Sequence, residues 1–355
     1  VIPTCLAMGE RKGRLSGKDL ITGTALGVDM MCRLALATTP GESPIKTGWH
    51  LTTLYGFLCA AISAGRILNV DEETMVNAMG IAYHQCSGNG QCVKDGALTK
   101  RLGPGFAVRG GIVSALMAEK GVTGATNCLE GEQGLYQLYM RGKYDPQILT
   151  ADLGRSFEGI NVAIKPYPCC RGIHPAIDTA LAVTNEYNIT PEEIQKIKLY
   201  VSEEHYNLLC SPEDAKRKPR NTVDAQFSIP WGVATAIVKK QATLEDFSAK
   251  AVNNEKVLNV TGKMEVEIDN ALKREEKVDP TRVDIRTVQG KMYSKQIEDP
   301  LGSLERPMSF DDCAKKFRDC AKNLPEKQTD RVIEQIQRLE QIEDISEIIS
   351  SMVFK

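Results

Sequence analysis

The sequence predicts a mainly α protein in which helical segments from both ends of the chain flank an inserted α+β region. Three observations predict it: helical apolar spacing in the first third, period-two alternation confined to the middle, and a return of helical spacing from Ser309 onward. At the start, Ser16 precedes Asp19 and the apolar set Leu20, Ala25, Leu26, Met30, Leu34 and Ala35, a capped amphipathic pattern. Residues 50–68 are apolar nearly all round and rich in Ala60, Ala61, Ser63, Ala64 and Gly65, which predicts a helix buried in a helical layer. Asp71-Glu-Glu-Thr opens a further helix through Ala82. Residues 106–120, with Gly110, Gly111 and Ala115, predict another in close helix contact.

The pattern changes near Phe157. Ile160, Val162 and Ile164 alternate as a strand would and lead into a loop at Lys165. Pro166 and Pro168 keep that loop out of a helix, and Gly172 frees the turn before a helix that begins near Ile173. Thr190-Pro-Glu-Glu193 is a short capping signal that runs into a strand at 197–201. Further strands are predicted at 263–268 and 283–295, with helices at 227–239 and 243–252 separating them from the strand at 197–201. From Ser309 the spacing is helical again, through Leu339, Ile342, Ile345, Ile348 and Ile349.

Composition bounds the function. The chain has 355 residues, enough for two domains, and a net charge of -2, which gives nucleic acid nothing to attract. Hydrophobic content of 42% with 6% aromatics is that of an ordinary soluble globular protein. The apolar run at 21–37 is interrupted by Asp29 and Arg33, and no window offers the roughly 20 uninterrupted apolar residues of a membrane helix. A basic start followed by an apolar signal core is also missing, so the expectation is a cytoplasmic protein with neither membrane nor nucleic acid as partner. The 11 cysteines lie mostly in apolar runs, as reduced thiols do. Cys86 and Cys92 are too far apart for a zinc knuckle, and Cys313 with Cys320 has the spacing of a core-facing helix stripe, so no metal site is expected.

Four regions carry groups able to do chemistry. In Thr47-Gly-Trp-His50-Leu-Thr52-Thr53, an imidazole and hydroxyls stand at the start of the buried helix, where they either bind a carboxylate or cap the helix. In the glycine-rich passage from Ser87 to Gly105, Lys100 and Arg101 precede a helix start; they hold a small carboxylate or form a solvated basic turn. The run from Lys165 to Asp178 packs Lys165, Cys169, Cys170, Arg171 and His174 into one stiff loop, with inert packing and helix capping as the alternatives for the thiols and the imidazole. Asp224-Ala-Gln-Phe-Ser-Ile-Pro-Trp231 brings polar groups and an indole to a helix start, although tryptophan is more often core.

Taken in order, Gly-Trp-His50, Thr99-Lys100-Arg101-Leu, Lys165-Pro-Tyr-Pro-Cys-Cys-Arg-Gly-Ile-His174-Pro-Ala-Ile-Asp178 and Gln226-Phe-Ser-Ile-Pro-Trp231 make the chain resemble the MmgE/PrpD family. That family includes 2-methylcitrate dehydratase, cis-aconitate decarboxylase and iminodisuccinate epimerase. The likeness covers essentially the whole chain and is more specific for family than for reaction. It implies a helical domain built from 1–162 and 305–355, with an α+β lid at 163–304. It further implies a homodimer without cofactors, acting on a small di- or tricarboxylate in a cleft between domains. Family members usually carry about a hundred further amino-terminal residues that contribute to the site, and against that pattern the expectation is either a fragment or a sequence from which those residues are omitted.

For the reaction, the expectation is a hydro-lyase of the 2-methylcitrate dehydratase type. Dehydration, epimerisation and allylic decarboxylation all develop negative charge on carbon beside a carboxylate, and cations with hydrogen-bond donors must meet it. His50 is the first choice for proton transfer and His174 the second. Lys100 and Lys165 neutralise carboxylates, with Arg171 as a bidentate clamp and Thr52, Arg101, Cys170 and Trp231 as further substrate contacts. Cys170 stands where the decarboxylases of the family carry a second histidine, and Trp231 where they carry a tyrosine, which makes decarboxylation the weaker choice. An epimerase, a decarboxylase and a catalytically inactive structural relative are the alternatives.

Overall fold

The structure, a computed structural model, describes residues 1–38, 48–275 and 277–353, so Thr47 at the head of the first motif lies outside the described residues. The chain is mainly α with an inserted α+β region, and it divides into two compact units, Val1–Val162 with Asn323–Lys355 and Ala163–Lys322. The second unit extends past 304 because helix Phe310–Cys320 is tied into it: Asp319 accepts from the Leu244 amide at 3.1 Å, and Lys322 pairs with Glu245 at 3.5 Å.

Among its described residues the first unit consists of helices joined by turns and loops, with isolated bridges at Thr38–Tyr144 and Trp49–Asn89. Helix α1 (Ile2–Lys12) is followed by α2 (Gly17–Leu36), whose first turn is capped by Ser16 accepting from the Asp19 amide. Helix α3 (Leu51–Leu68) is buried from Thr53 to Gly65, as its all-round apolar sequence requires. It is long and apolar enough to cross a membrane, yet 78% of it is buried inside the protein, as a core helix is. Asp71 caps α4 (Glu72–His84). Helix α5 (Thr99–Glu119) lies so close to α3 that a Cβ on Gly111 would come within 2.4 Å of the Ala60 Cβ and 2.7 Å of the Ala61 nitrogen. The carboxyl end of the chain completes this unit. The Gly17 amide donates to the Ile342 carbonyl at 2.8 Å, and the Ile345 amide to the Leu15 carbonyl at 2.8 Å.

Two expectations fail in this unit. Helix α5 begins seven residues before 106 and carries Pro104 inside it, so Lys100 and Arg101 stand in its first turn rather than in a loop. Gly103, Pro104 and Gly105 obscured the helical spacing, and contact with α3 overrides their poor propensity. The alternating stretch at 160–164 is not a strand. A 3-10 turn spans Glu158–Asn161, started by the Asp29 carboxylate accepting from the Glu158 amide at 2.7 Å, and Ile160 is 78% exposed. Alternation without a partner strand to pair with leaves no ladder.

The second unit has its own core. Strands β1 (Ile194–Val201), β2 (Met264–Ile268), β3 (Thr281–Thr287) and β4 (Met292–Ile297) form one sheet in the order β2-β1-β3-β4, with β1 parallel to β2 and antiparallel to β3. The predicted strand at 283–295 is therefore the β3-β4 hairpin. Ile197, Leu199, Val201, Val283 and Ile285 are fully buried on one face, against α6 (His174–Glu186) and α7 (Ile229–Lys239). Residues 243–252 form two 3-10 turns rather than the expected helix, because Asp246 takes both the amide and the hydroxyl of Thr243 at 2.8 Å. Cys313 and Cys320 do not share a core stripe, since one is half-buried and the other exposed. The cysteines are free thiols.

Candidate functional site

Each unit brings together candidate groups of its own. In the first, a short clip holds the start of α3: the Gly90 amide donates to the Gly48 carbonyl at 2.7 Å, and Trp49 bridges Asn89. The His50 amide donates to Gly88, whose φ of +124° and close approach to Thr53 exclude any side chain. This brings the first and second motifs together. His50 is the N-cap residue of α3, but its ring does not cap the helix. Its Nδ1 lies 2.8 Å from the hydroxyl of Thr53, one helical turn on and 4% exposed.

Thr53 is itself confined, because a Cβ on Gly103 of α5 would fall 2.5 Å from its hydroxyl oxygen. The first turn of the same helix carries Lys100. Burial first, and then the Lys100 charge, hold the His50 imidazole below its ordinary range. At neutral pH, His50 is therefore an uncharged base beside a cation. Thr52 points outward and is exposed, as is Arg101, so the hydroxyl that engages His50 is that of Thr53, which the sequence reading passed over. Its signal was its position, one turn from His50 on the same face.

In the second unit, the third and fourth motifs meet. The Cys170 amide donates to the Gln226 carbonyl at 2.8 Å, and the Gln226 side chain returns a bond to Pro168 at 2.7 Å. Lys165 is exposed and its Nζ reaches back to the Cys169 carbonyl at 3.2 Å. Arg171 is half-buried in a 3-10 turn, and burial lowers its guanidinium. Cys169 is buried, and burial pushes its thiol far up, which leaves it an inert packing group; Cys170 is half-buried.

Two expected site residues are placed in the interior instead. His174 is 1% exposed, its ring edge against Tyr167 at 5.3 Å, and it is pushed down to about 3 by burial and then by the cations Lys165, Arg171 and Lys316. His174 is thus an enclosed, neutral imidazole in the interior of this unit. Trp231 is fully buried in the core and donates its indole N–H to the Asp246 carbonyl at 3.2 Å. The reading also missed Tyr167, Asp178, Arg306 and Lys316 around the Lys165 loop. Asp178, four residues after His174, was within reach of a helical-spacing argument; Arg306 and Lys316 come from distant sequence and left no signal. Among the described residues, no three His, Cys, Asp or Glu side chains are grouped as metal ligands.

The model of the MmgE/PrpD N-terminal domain matches residues 1–147, and that of the MmgE/PrpD C-terminal domain matches residues 167–341. Among curated proteins, cis-aconitate decarboxylase of Aspergillus terreus is 25% identical over 375 aligned positions, covering 98% of this chain and 74% of that protein. Cis-aconitate decarboxylase of Homo sapiens is 24% identical, covering 98% and 72%. The cis-aconitate decarboxylase-like protein oryM of Aspergillus oryzae is 23% identical, covering 96% and 72%.

Proposed function

Because the chain belongs to the MmgE/PrpD family, we propose that it is a lyase of small polycarboxylates that removes water from a hydroxy-polycarboxylate, as 2-methylcitrate dehydratase does. The observation that carries this reading is the neutral His50 imidazole, seated on Thr53 beside the Lys100 charge. Dehydration begins with a base. His50 takes the proton from the carbon next to a carboxylate, Lys100 neutralises that carboxylate as negative charge spreads into it, and the β-hydroxyl leaves as water with the proton that the His50 imidazolium gives back. In the second unit, Lys165 and Arg171 are cations of the kind that pair with a carboxylate.

Decarboxylation is the second reading, favoured by the names of the relatives. It forms its carbanion by losing carbon dioxide and then needs an acid to protonate carbon. An imidazole held below its ordinary range is mostly unprotonated at neutral pH, which favours the base-initiated reaction. Epimerisation begins with the same proton abstraction and differs in returning the proton to carbon.

The test is an NMR survey of citrate, 2-methylcitrate, cis-aconitate and iminodisuccinate with the protein in heavy water. Dehydration gives a new olefinic product from a hydroxy acid, and His50→Ala and Lys100→Ala each lower its rate at least a hundredfold, on the order expected for loss of a general base. Loss of carbon dioxide from cis-aconitate, with the hydroxy acids untouched, overturns the dehydratase reading. Deuterium incorporation with inversion and no olefin replaces it with the epimerase. A homodimer is part of the proposal, supported by the exposed apolar face of α5, where Leu102, Phe106, Val113 and Met117 line up at helical spacing. Light scattering checks it.

A further inference from the structure

The loop that carries Lys165 is held at both of its ends. On the amino side, the Ile164 amide donates to the Gly302 carbonyl at 2.9 Å. The approach is so close that a Cβ on Gly302 would lie 1.9 Å from the Ile164 carbonyl oxygen, and Gly302 itself has a φ of +82°. On the carboxyl side, the Tyr167 hydroxyl donates to Asp178 Oδ1. Burial, and then the adjacent carboxylate, hold the Tyr167 phenol far above its ordinary range, so it remains a donor.

The second oxygen of Asp178 is also engaged. Oδ2 accepts from the Leu301 amide at 2.7 Å and from the Arg306 guanidinium at 3.0 Å. The segment from Leu301 to Arg306 is closed on itself by the Gly302 amide donating to the Arg306 carbonyl at 2.8 Å. One carboxylate, 5% exposed, therefore fastens this segment to the first turns of α6 and to Tyr167. The same segment, through Gly302, fastens Ile164. Lys165 lies between those two fastened residues, yet its own side chain is exposed.

A buried carboxylate is costly unless charge-assisted bonds meet it, and here three donors do so. A hydrophobic contact could hold the segment down without that cost, but it would not set the direction of the Lys165 backbone. We propose that Asp178 is the positioning residue of the Lys165 loop, tying Tyr167, Leu301 and Arg306 to one buried carboxylate so that the Lys165 backbone is held between two fixed points. The proposal rests on the reading of Lys165 as a carboxylate-binding cation, and it adds the group that preorganises it.

The test uses the full chain with its lysines reductively methylated with 13C, the Lys165 signal being assigned by its loss in Lys165→Arg. Citrate is the probe. In Asp178→Asn, the Lys165 signal sharpens as the loop gains freedom, and citrate binds about tenfold more weakly, the order expected when a binding group loses preorganisation. Tyr167→Phe, which removes one bond and leaves the carboxylate paired with Arg306, moves both readouts the same way by less, and serves if Asp178→Asn does not fold. A role confined to stability would lower the melting temperature and leave both readouts at their native values. Native linewidth and native citrate affinity in both variants would overturn the proposal. If citrate leaves the Lys165 signal of the native protein unmoved, the carboxylate-binding reading fails, while the linewidths still decide whether Asp178 positions the loop.

Discussion

Thr53 and Lys100 act on different properties of one ring: the hydroxyl holds the orientation of His50, and the ammonium adds to burial in keeping it uncharged. Removing the cation in Lys100→Ala raises the His50 pKa, and an NMR titration of the ring shows this whatever the activity of the variant; an unmoved titration would mean that burial alone sets it. Where His50 is the base, the acid limb of the rate profile moves to higher pH with it. His174 carries a stability consequence instead. Its folded pKa of about 3 lies below the ordinary 6.5, so the unfolded chain takes up the proton first as pH falls. The associated stability is fully present above about pH 6.5 and is lost as pH falls towards 3, by at most about 1.4 kcal/mol per pH unit. His174→Phe narrows the gap between urea midpoints at pH 7 and pH 5, while the buried His205, also lowered by burial, keeps its own share. An unchanged gap would show that His174 titrates normally. At this scale the sequence displayed the right residue types, but it could not separate Thr53 from Thr52, because that choice depends on which side of α3 meets Gly103.

Helices α3 and α5 form the element pair on which the placement of His50, Thr53 and Lys100 depends, and glycine makes their contact possible. Gly111→Val places methyl groups where Ala60 and the backbone of Phe57 already stand, at a cost of about 1–3 kcal/mol. Gly105, on the same helix, has nothing within 4 Å of its Cβ position. Gly105→Ala therefore stabilises by about 0.5–1 kcal/mol through helix propensity. Thermal unfolding of the two variants checks the contrast, and similar destabilisation in both would dissolve the packing argument. Burial of residues 50–68 was legible because an all-round apolar helix has no other place to go. The true start of α5 was not, because Gly103-Pro104-Gly105 reads as a break until the neighbouring helix is in view. For the same reason the alternation at 160–164 misled: a strand exists only where another strand pairs with it.

The whole molecule is built so that the carboxyl end returns to the first unit. Ile345 and Ile348 are 1% exposed, and the backbone of 342–345 bonds to Leu15 and Gly17 between α1 and α2. Deleting 323–355 thus speeds hydrogen exchange of the α1 and α2 amides and leaves the sheet of the second unit protected, since that unit has its own core. Unchanged exchange in α1 and α2 would show that the return is not needed. The sequence by itself determined the fold class, the order of helical and mixed regions, and the four motifs that identify the family, because periodicity and motif spacing are local properties of the chain. Only the tertiary structure decided which of the motif residues face outward and which are sealed. It buried His174 and Trp231, set Thr53 on His50, and joined Asp178 to Arg306 across 128 positions of sequence. Burial and long-range pairing depend on what the rest of the chain places alongside each residue.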